Sequence, residues 1–186
     1  MTQISNAKIA ILATHGFEKS ELFEPKRQLE EAGAEIVVIS PESGEIKSWD
    51  DQNWGEAVAV HMDVADARVE DFDALVLPGG QINPDILRTN DKAVSFVRDF
   101  FNSGKTLAAI CHAPWLLIEA DVVKGRDVTS WPSVKTDLVN AGANWQDSEV
   151  VVDQALVTSR KPGDLDAFCA KIIEEVREGR HDRQAA

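Results

Sequence analysis

The residues best suited to chemistry lie in one stretch, Thr106-Leu-Ala-Ala-Ile-Cys-His-Ala-Pro-Trp115. Leu107 to Ile110 reads as a buried strand that stops at Cys111-His112, and Ala113-Pro114 opens a helical stretch to about Ala120. Proline is tolerated in the first turn of a helix. A cysteine at a strand-to-helix corner is held clear of the backbone, and nearby helix amides favour its thiolate. Sharp turns of this kind need small residues two places either side of the nucleophile, and Ala109 and Ala113 fill those places. The stretch therefore reads as a nucleophile elbow. Cys111 is expected to be a nucleophile or a redox-active thiol rather than a small buried hydrophobe.

Four further groups are candidates for the same site. His112 acts as general base if the turn swings its ring back, and its backbone N–H is a natural oxyanion donor. Gly79 or Gly80, after the run Ala74 to Leu77, offers a second donor. Glu18 and Glu21 are three apart on an early helix and share a face. They read either as acidic residues favouring a helix start or, for Glu21, as a desolvated carboxyl that keeps its proton beside the thiolate. His15 and Trp131 are candidate pocket walls. Cys169 falls on an apolar helical stripe and reads as core. The histidines have no metal-ligand spacing with other Cys or His residues, so no metal site and no cofactor are expected.

These groups need elements to position them. Lys8 to Thr14, Glu35 to Ser40, Asp73 to Leu77 and Leu107 to Ile110 read as buried strands. Helical patterns fall over Phe17 to Ala32, a short segment from Asn83, a longer one capped by Asn90-Asp91, Pro132 to Ala141 and Gly163 to Glu178. Shorter strands are expected at Glu45 to Trp49, Ala57 to His61 and Asp127 to Ser130, with a hairpin of Glu149–Val152 and Ala155–Thr158. Strands alternating with helices predict an α/β fold with a doubly wound, mostly parallel sheet. Sites in such sheets lie beyond the carboxyl ends of the strands. His15-Gly16, Gly79-Gly80 and Cys111-His112 all fall at such ends, which predicts one shared pocket.

Composition narrows the function further. The 186 residues suggest one domain, with a core over 8–178 and a polar tail over 179–186. A net charge of −13 argues against nucleic-acid binding. Two distant cysteines give no disulfide framework. Without a signal pattern or an apolar span, a cytoplasmic protein away from membranes is the expectation.

The chain resembles the DJ-1/PfpI superfamily, in its PfpI-like branch of general stress proteins and intracellular proteases. The resemblance rests on Gly16-Phe-Glu-Lys-Ser-Glu-Leu22, Ala74-Leu-Val-Leu-Pro-Gly-Gly80, Ala109-Ile-Cys-His-Ala-Pro114, Leu138-Val-Asn-Ala-Gly-Ala143, Glu149-Val-Val-Val-Asp153 and Val157-Thr-Ser-Arg-Lys-Pro162. It implies a flavodoxin-like sandwich, with Glu21 as the carboxyl contacting the Cys111 sulfur. It also implies that His112 pairs with an acidic residue of a neighbouring subunit, matched here by Asp85, so the site is completed in a homodimer or larger homo-oligomer. Two departures stand out: Ala113 where relatives often carry Gly, and Trp131 where many carry Tyr. The implied activity is that of a stress-response cysteine hydrolase acting on a small aldehyde (glyoxalase III- or deglycase-like) or on a peptide. The alternative is a non-enzymatic oxidative-stress sensor or chaperone-like protein in which Cys111 is oxidised. Class I glutamine amidotransferases share the elbow but need a later His-x-Glu pair, and the only histidine after His112 is His181.

Overall fold

A computed structural model describes residues 4–181; 182–186, part of the expected polar tail, lie outside the described residues. The first strand, β1 (Lys8–Leu12), is followed by the two-residue β2 (Phe17–Glu18) and helix α1 (Lys19–Glu31). Next come β3 (Glu35–Ser40), β4 (Glu45–Asp50), β5 (Asn53–Ala59), β6 (Met62–Asp63) and β7 (Ala74–Leu77). Helices α2 (Ile82–Leu87) and α3 (Asp91–Asn102) lead into β8 (Thr106–Ile110) and α4 (Pro114–Glu119). The chain ends through β9 (Asp127–Val128), α5 (Lys135–Asn140), β10 (Asn144–Trp145), β11 (Val150–Asp153), β12 (Leu156–Ser159) and α6 (Leu165–Glu178).

The main sheet has seven strands in the order β11-β12-β8-β7-β1-β3-β6. All its pairings are parallel except the antiparallel edge pair β11–β12. Parallel strands bury both faces, so they read as continuous apolar runs, and β7 and β8 are buried at every residue. One face packs α1 and α6 through Leu22, Leu29, Phe168, Cys169 and Ile172. The other packs α3, α4 and α5 through Val97, Phe100, Leu116, Leu117 and Leu138. Cys169 is fully buried between α6 and the sheet, as its place on the apolar stripe predicts. Asn90 caps α3 by accepting a hydrogen bond from the Ala93 N–H at 3.0 Å.

Three local differences from the sequence expectation have physical causes. The first helix begins at Lys19, not Phe17, because Phe17–Glu18 pairs in parallel with Ser48–Trp49 of β4. That pairing makes a separate three-stranded sheet, β2-β4-β5, which local patterning does not reveal. The hairpin turns at Gln154-Ala155, both at positive φ (50° and 66°), one residue later than expected. Two successive left-handed residues match the twist of the flanking strands. β9, which pairs in parallel with β10, stops at Val128 rather than Ser130, because the Thr129 N–H donates to the Thr158 Oγ1 at 2.9 Å in place of a strand partner.

Candidate active site

Four adjacent parallel strands, β12, β8, β7 and β1, deliver their carboxyl ends to one rim. The loops leaving them supply Pro162, Cys111, Gly80 and Gly16, and these residues line a single cavity of about 380 Å³. Glu18, Glu21, His112, Trp131, Trp49, Gln81 and Ile82 complete the wall.

Cys111 sits on the turn between β8 and α4 with φ of 64°, the left-handed region a non-glycine residue seldom enters. Such a residue costs of order 1–3 kcal/mol and persists only when its surroundings hold it there. Here the Cys111 N–H donates to the Ser159 carbonyl at 3.0 Å, and its carbonyl accepts from the Trp131 N–H at 2.9 Å. The Ala113 N–H closes the turn on the Ile110 carbonyl at 3.0 Å. Ala109 and Ala113 are fully buried beside the elbow. The side chain of Cys111 is 7% exposed, at the floor of the cavity.

Glu21 enters from the first turn of α1 and is fully buried. Its Oε2 accepts a hydrogen bond from the Gly79 N–H at 2.9 Å. The carboxyl also interacts with the Cys111 sulfur, and Oε1 has no conventional hydrogen-bond partner. Burial, reinforced by the nearby charge of Glu18, pushes the Glu21 carboxyl up to about 8. At neutral pH the group is mainly protonated and acts as a donor. Burial also pushes the Cys111 thiol up, and an ionised Glu21 would raise it further. The backbone N–H groups of Gly80 and His112 act in the opposite direction. Helix amides therefore do not dominate the thiol, contrary to the expectation from the elbow alone. A protonated Glu21 removes the like-charge contribution and supplies a hydrogen bond to the thiolate.

Gly79 and Gly80 are required by close approach. A Cβ on Gly79 would stand 2.6 Å from the Cys111 Cβ and 2.7 Å from the Ile110 carbonyl. Gly80 has φ of 81°, and a Cβ there would meet the Gly16 carbonyl at 2.6 Å. Asn83 ties the two loops together. Its Oδ1 accepts from the Thr14 N–H at 2.7 Å, and its amide donates to the Pro78 carbonyl at 2.9 Å.

The turn does swing the His112 ring back. Its Nδ1 lies 3.2 Å from the Cys111 Sγ, and its Nε2 lies 3.3 Å from the Ser133 Oγ. The imidazole stacks on Trp131, with centroids 6.0 Å apart and planes at 25°. Burial lowers its basicity, so the ring is neutral near pH 7. Trp131 is 38% exposed and forms the outer wall.

His15 is a correction. Its Nδ1 accepts the Lys47 N–H at 3.0 Å, and it lines a different hollow with Lys47 and Trp54. Pairing of the β2-β4-β5 sheet turns it away from the elbow. Asp85 is exposed in the first turn of α2, and no hydrogen bond or ion pair joins it to His112 within the chain. Two participants were not legible beforehand. Ser133 meets His112 because Pro132 starts a short 3₁₀ turn right after Trp131. Trp49 reaches the cavity from β4.

A parallel doubly wound sheet with a cysteine elbow, a buried carboxyl and two glycines at its rim defines a class of cysteine-elbow proteins. Residues 7–175 match the model of the DJ-1/PfpI family, and the chain belongs to that family. It is 45% identical over 162 residues to protein/nucleic acid deglycase 2 of Escherichia coli (strain K12), spanning 87% of this chain and 92% of that one. It is 44% identical over 162 residues to general stress protein 18 of Bacillus subtilis (strain 168), with the same shares of the two chains. Among solved structures, a two-domain protein of Anabaena variabilis with DJ-1/ThiJ/PfpI-like and ferritin-like domains superposes with a TM-score of 0.87 and 35% identity. That match covers 97% of this chain and 52% of the longer one.

Proposed function

We propose that the protein is a cysteine-dependent enzyme of the glyoxalase and deglycase kind, acting in a stress-related role. Its substrates on this reading are α-oxoaldehydes such as methylglyoxal, or their adducts with amines. The observation that carries the reading is the meeting of two groups at the Cys111 sulfur, His112 Nδ1 at 3.2 Å and the buried carboxyl of Glu21. The names of the two relatives, a deglycase and a general stress protein, favour the same direction. A cavity of about 380 Å³ is in the size range of small-molecule sites. A volume of that size favours a small aldehyde over a polypeptide.

The reaction follows from the geometry. Cys111 Sγ adds to the aldehyde carbon, and the carbonyl π electrons pass to oxygen. The thiol proton moves to His112 Nδ1, which is neutral near pH 7 and lies 3.2 Å from the sulfur. The N–H groups of Gly80 and His112 stabilise the alkoxide, and the imidazolium then protonates it to give a hemithioacetal. For methylglyoxal, the C1 hydrogen of the hemithioacetal then moves as a proton to C2 while the C1 hydroxyl proton passes to the C2 oxygen, by way of the enediol, which yields a lactoyl thioester. Water cleaves the thioester to lactate and the free thiol. Glu21 hydrogen-bonds the sulfur when it is anionic, which favours its release. In the assembled protein, Asp85 of a neighbouring copy would approach His112 and share its orientation with Ser133.

The test is stepwise alkylation with iodoacetamide, read by peptide mapping beside methylglyoxal turnover. Turnover should fall in proportion to the alkylated fraction of Cys111. Turnover that survives complete alkylation of Cys111 would contradict the reading.

A further inference from the structure

The end of α6 gathers three ligand-type side chains remote from Cys111. Glu175 and Glu178 are three apart and share a helix face. Gly179, with φ of 91°, then turns the chain. The His181 N–H donates to the Gly104 carbonyl at 3.0 Å, which brings the imidazole back over that face. His181 Nε2 lies 3.1 Å from Glu175 Oε2 and 3.7 Å from Glu178 Oε2. One donor atom from each residue lies within 4.8 Å of the others. The sequence expectation missed this group because it paired histidines only with other Cys or His residues.

Two features set the cluster apart from a solvated acidic face. Glu175 is only 6% exposed, so one carboxylate is held out of water. Its Oε2 and the His181 Nε2 are both buried without a hydrogen-bond partner, although they face one another. The two stand at ion-pairing distance from each other without hydrogen-bond geometry, and a cation shared between the imidazole nitrogen and the carboxylate is the other arrangement that satisfies both. In a tetrahedral zinc site the ligand bonds are about 2.0–2.2 Å, which places neighbouring donors roughly 3.3–3.5 Å apart. The separations of 3.1 and 3.7 Å fall on either side of that spacing. One imidazole with two carboxylates suits Zn²⁺ and similar transition ions, whereas Ca²⁺ and Mg²⁺ prefer all-oxygen sets.

We propose that Glu175, Glu178 and His181 form a binding site for a divalent transition-metal ion of the Zn²⁺ class, with water completing the coordination. The site would tie the end of α6 to the Gly104 turn, just before β8 begins. Cys111 follows the far end of β8, so the ion would act as a clamp on that strand's start, separate from the chemistry at the elbow.

The test is calorimetric titration of Zn²⁺ into the full chain after EDTA treatment and dialysis. The Cys111→Ser variant is used so that the elbow thiol cannot serve as a ligand. One equivalent per chain should bind, and Co²⁺ in its place should give the strong visible absorption of a four-coordinate ion. His181→Ala and Glu175→Gln, each in the same background, should weaken binding by about tenfold or more. Glu178 is exposed at the end of α6, and Glu178→Gln provides a third variant if Glu175→Gln fails to fold. No Zn²⁺ binding, or unchanged affinity in both His181→Ala and Glu178→Gln, overturns the proposal.

Discussion

The Nδ1 of His112 lies 3.2 Å from the Sγ of Cys111, the residue directly before it in the chain. Successive side chains usually point apart, and the left-handed φ of 64° at Cys111 is what folds this pair together. The imidazole is further held by Ser133 and by stacking on Trp131. Replacing His112 with Ala should therefore lower kcat for methylglyoxal by about 10²–10⁴-fold, the range for a lost acid–base group. Steady-state kinetics would show it; a kcat within a factor of about two of wild type would remove the ring from the proton path.

The pH dependence of stability follows from Glu21. Its carboxyl, near 4.5 when exposed, is raised to about 8 by burial. Between these values the native state holds a proton that the unfolded chain has released. Stability is therefore fully favoured by this group below about 4.5 and declines as pH rises through about 8. Glu21→Gln stays neutral throughout, so its urea midpoint should fall less than that of wild type between pH of about 5 and about 9. Parallel declines in the two proteins would count against a buried, protonated carboxyl.

Gly79→Ala should disturb both the elbow and the Glu21 contact. The added methyl would sit 2.6 Å from the Cys111 Cβ and 2.7 Å from the Ile110 carbonyl, neither of which is the end of a flexible side chain. Overpacking of this kind costs about 1–3 kcal/mol. Denaturant unfolding should show a loss of that size, together with slower alkylation of Cys111.

Assembly makes a separate prediction. Asp85→Ala should reduce turnover severalfold without slowing iodoacetamide modification of Cys111, because Asp85 is exposed and makes no hydrogen bond or ion pair with His112 within the chain. Ser133→Ala removes the partner of His112 Nε2 and should raise KM little while lowering kcat. Equal turnover in Asp85→Ala and wild type would dismiss a site shared between copies.

Much of the framework was legible because it depends on local signals. The apolar runs of β1, β3, β7 and β8, the Asn90 cap and the small residues around Cys111 all report short-range requirements. Glu21 was legible as a candidate because it opens a helix at the rim where the strands end. The misplaced and missed residues depend on long-range pairing. His15 is turned away by the pairing of Phe17–Glu18 with Ser48–Trp49, just over thirty residues further along the chain. Ser133 reaches His112 only because the Trp131 N–H bonds the Cys111 carbonyl, which draws the following turn over the elbow. No periodicity within either segment carries that information.

The central claim is that Cys111 performs the chemistry on a small aldehyde. It is tested most directly by comparing initial rates of wild type and Cys111→Ser on methylglyoxal, read as lactate formed, and on a fluorogenic peptide. The account predicts lactate from wild type, none above background from Cys111→Ser, and little or no peptide cleavage by either. Equal lactate rates in the two proteins, or turnover of the peptide alone, would contradict it.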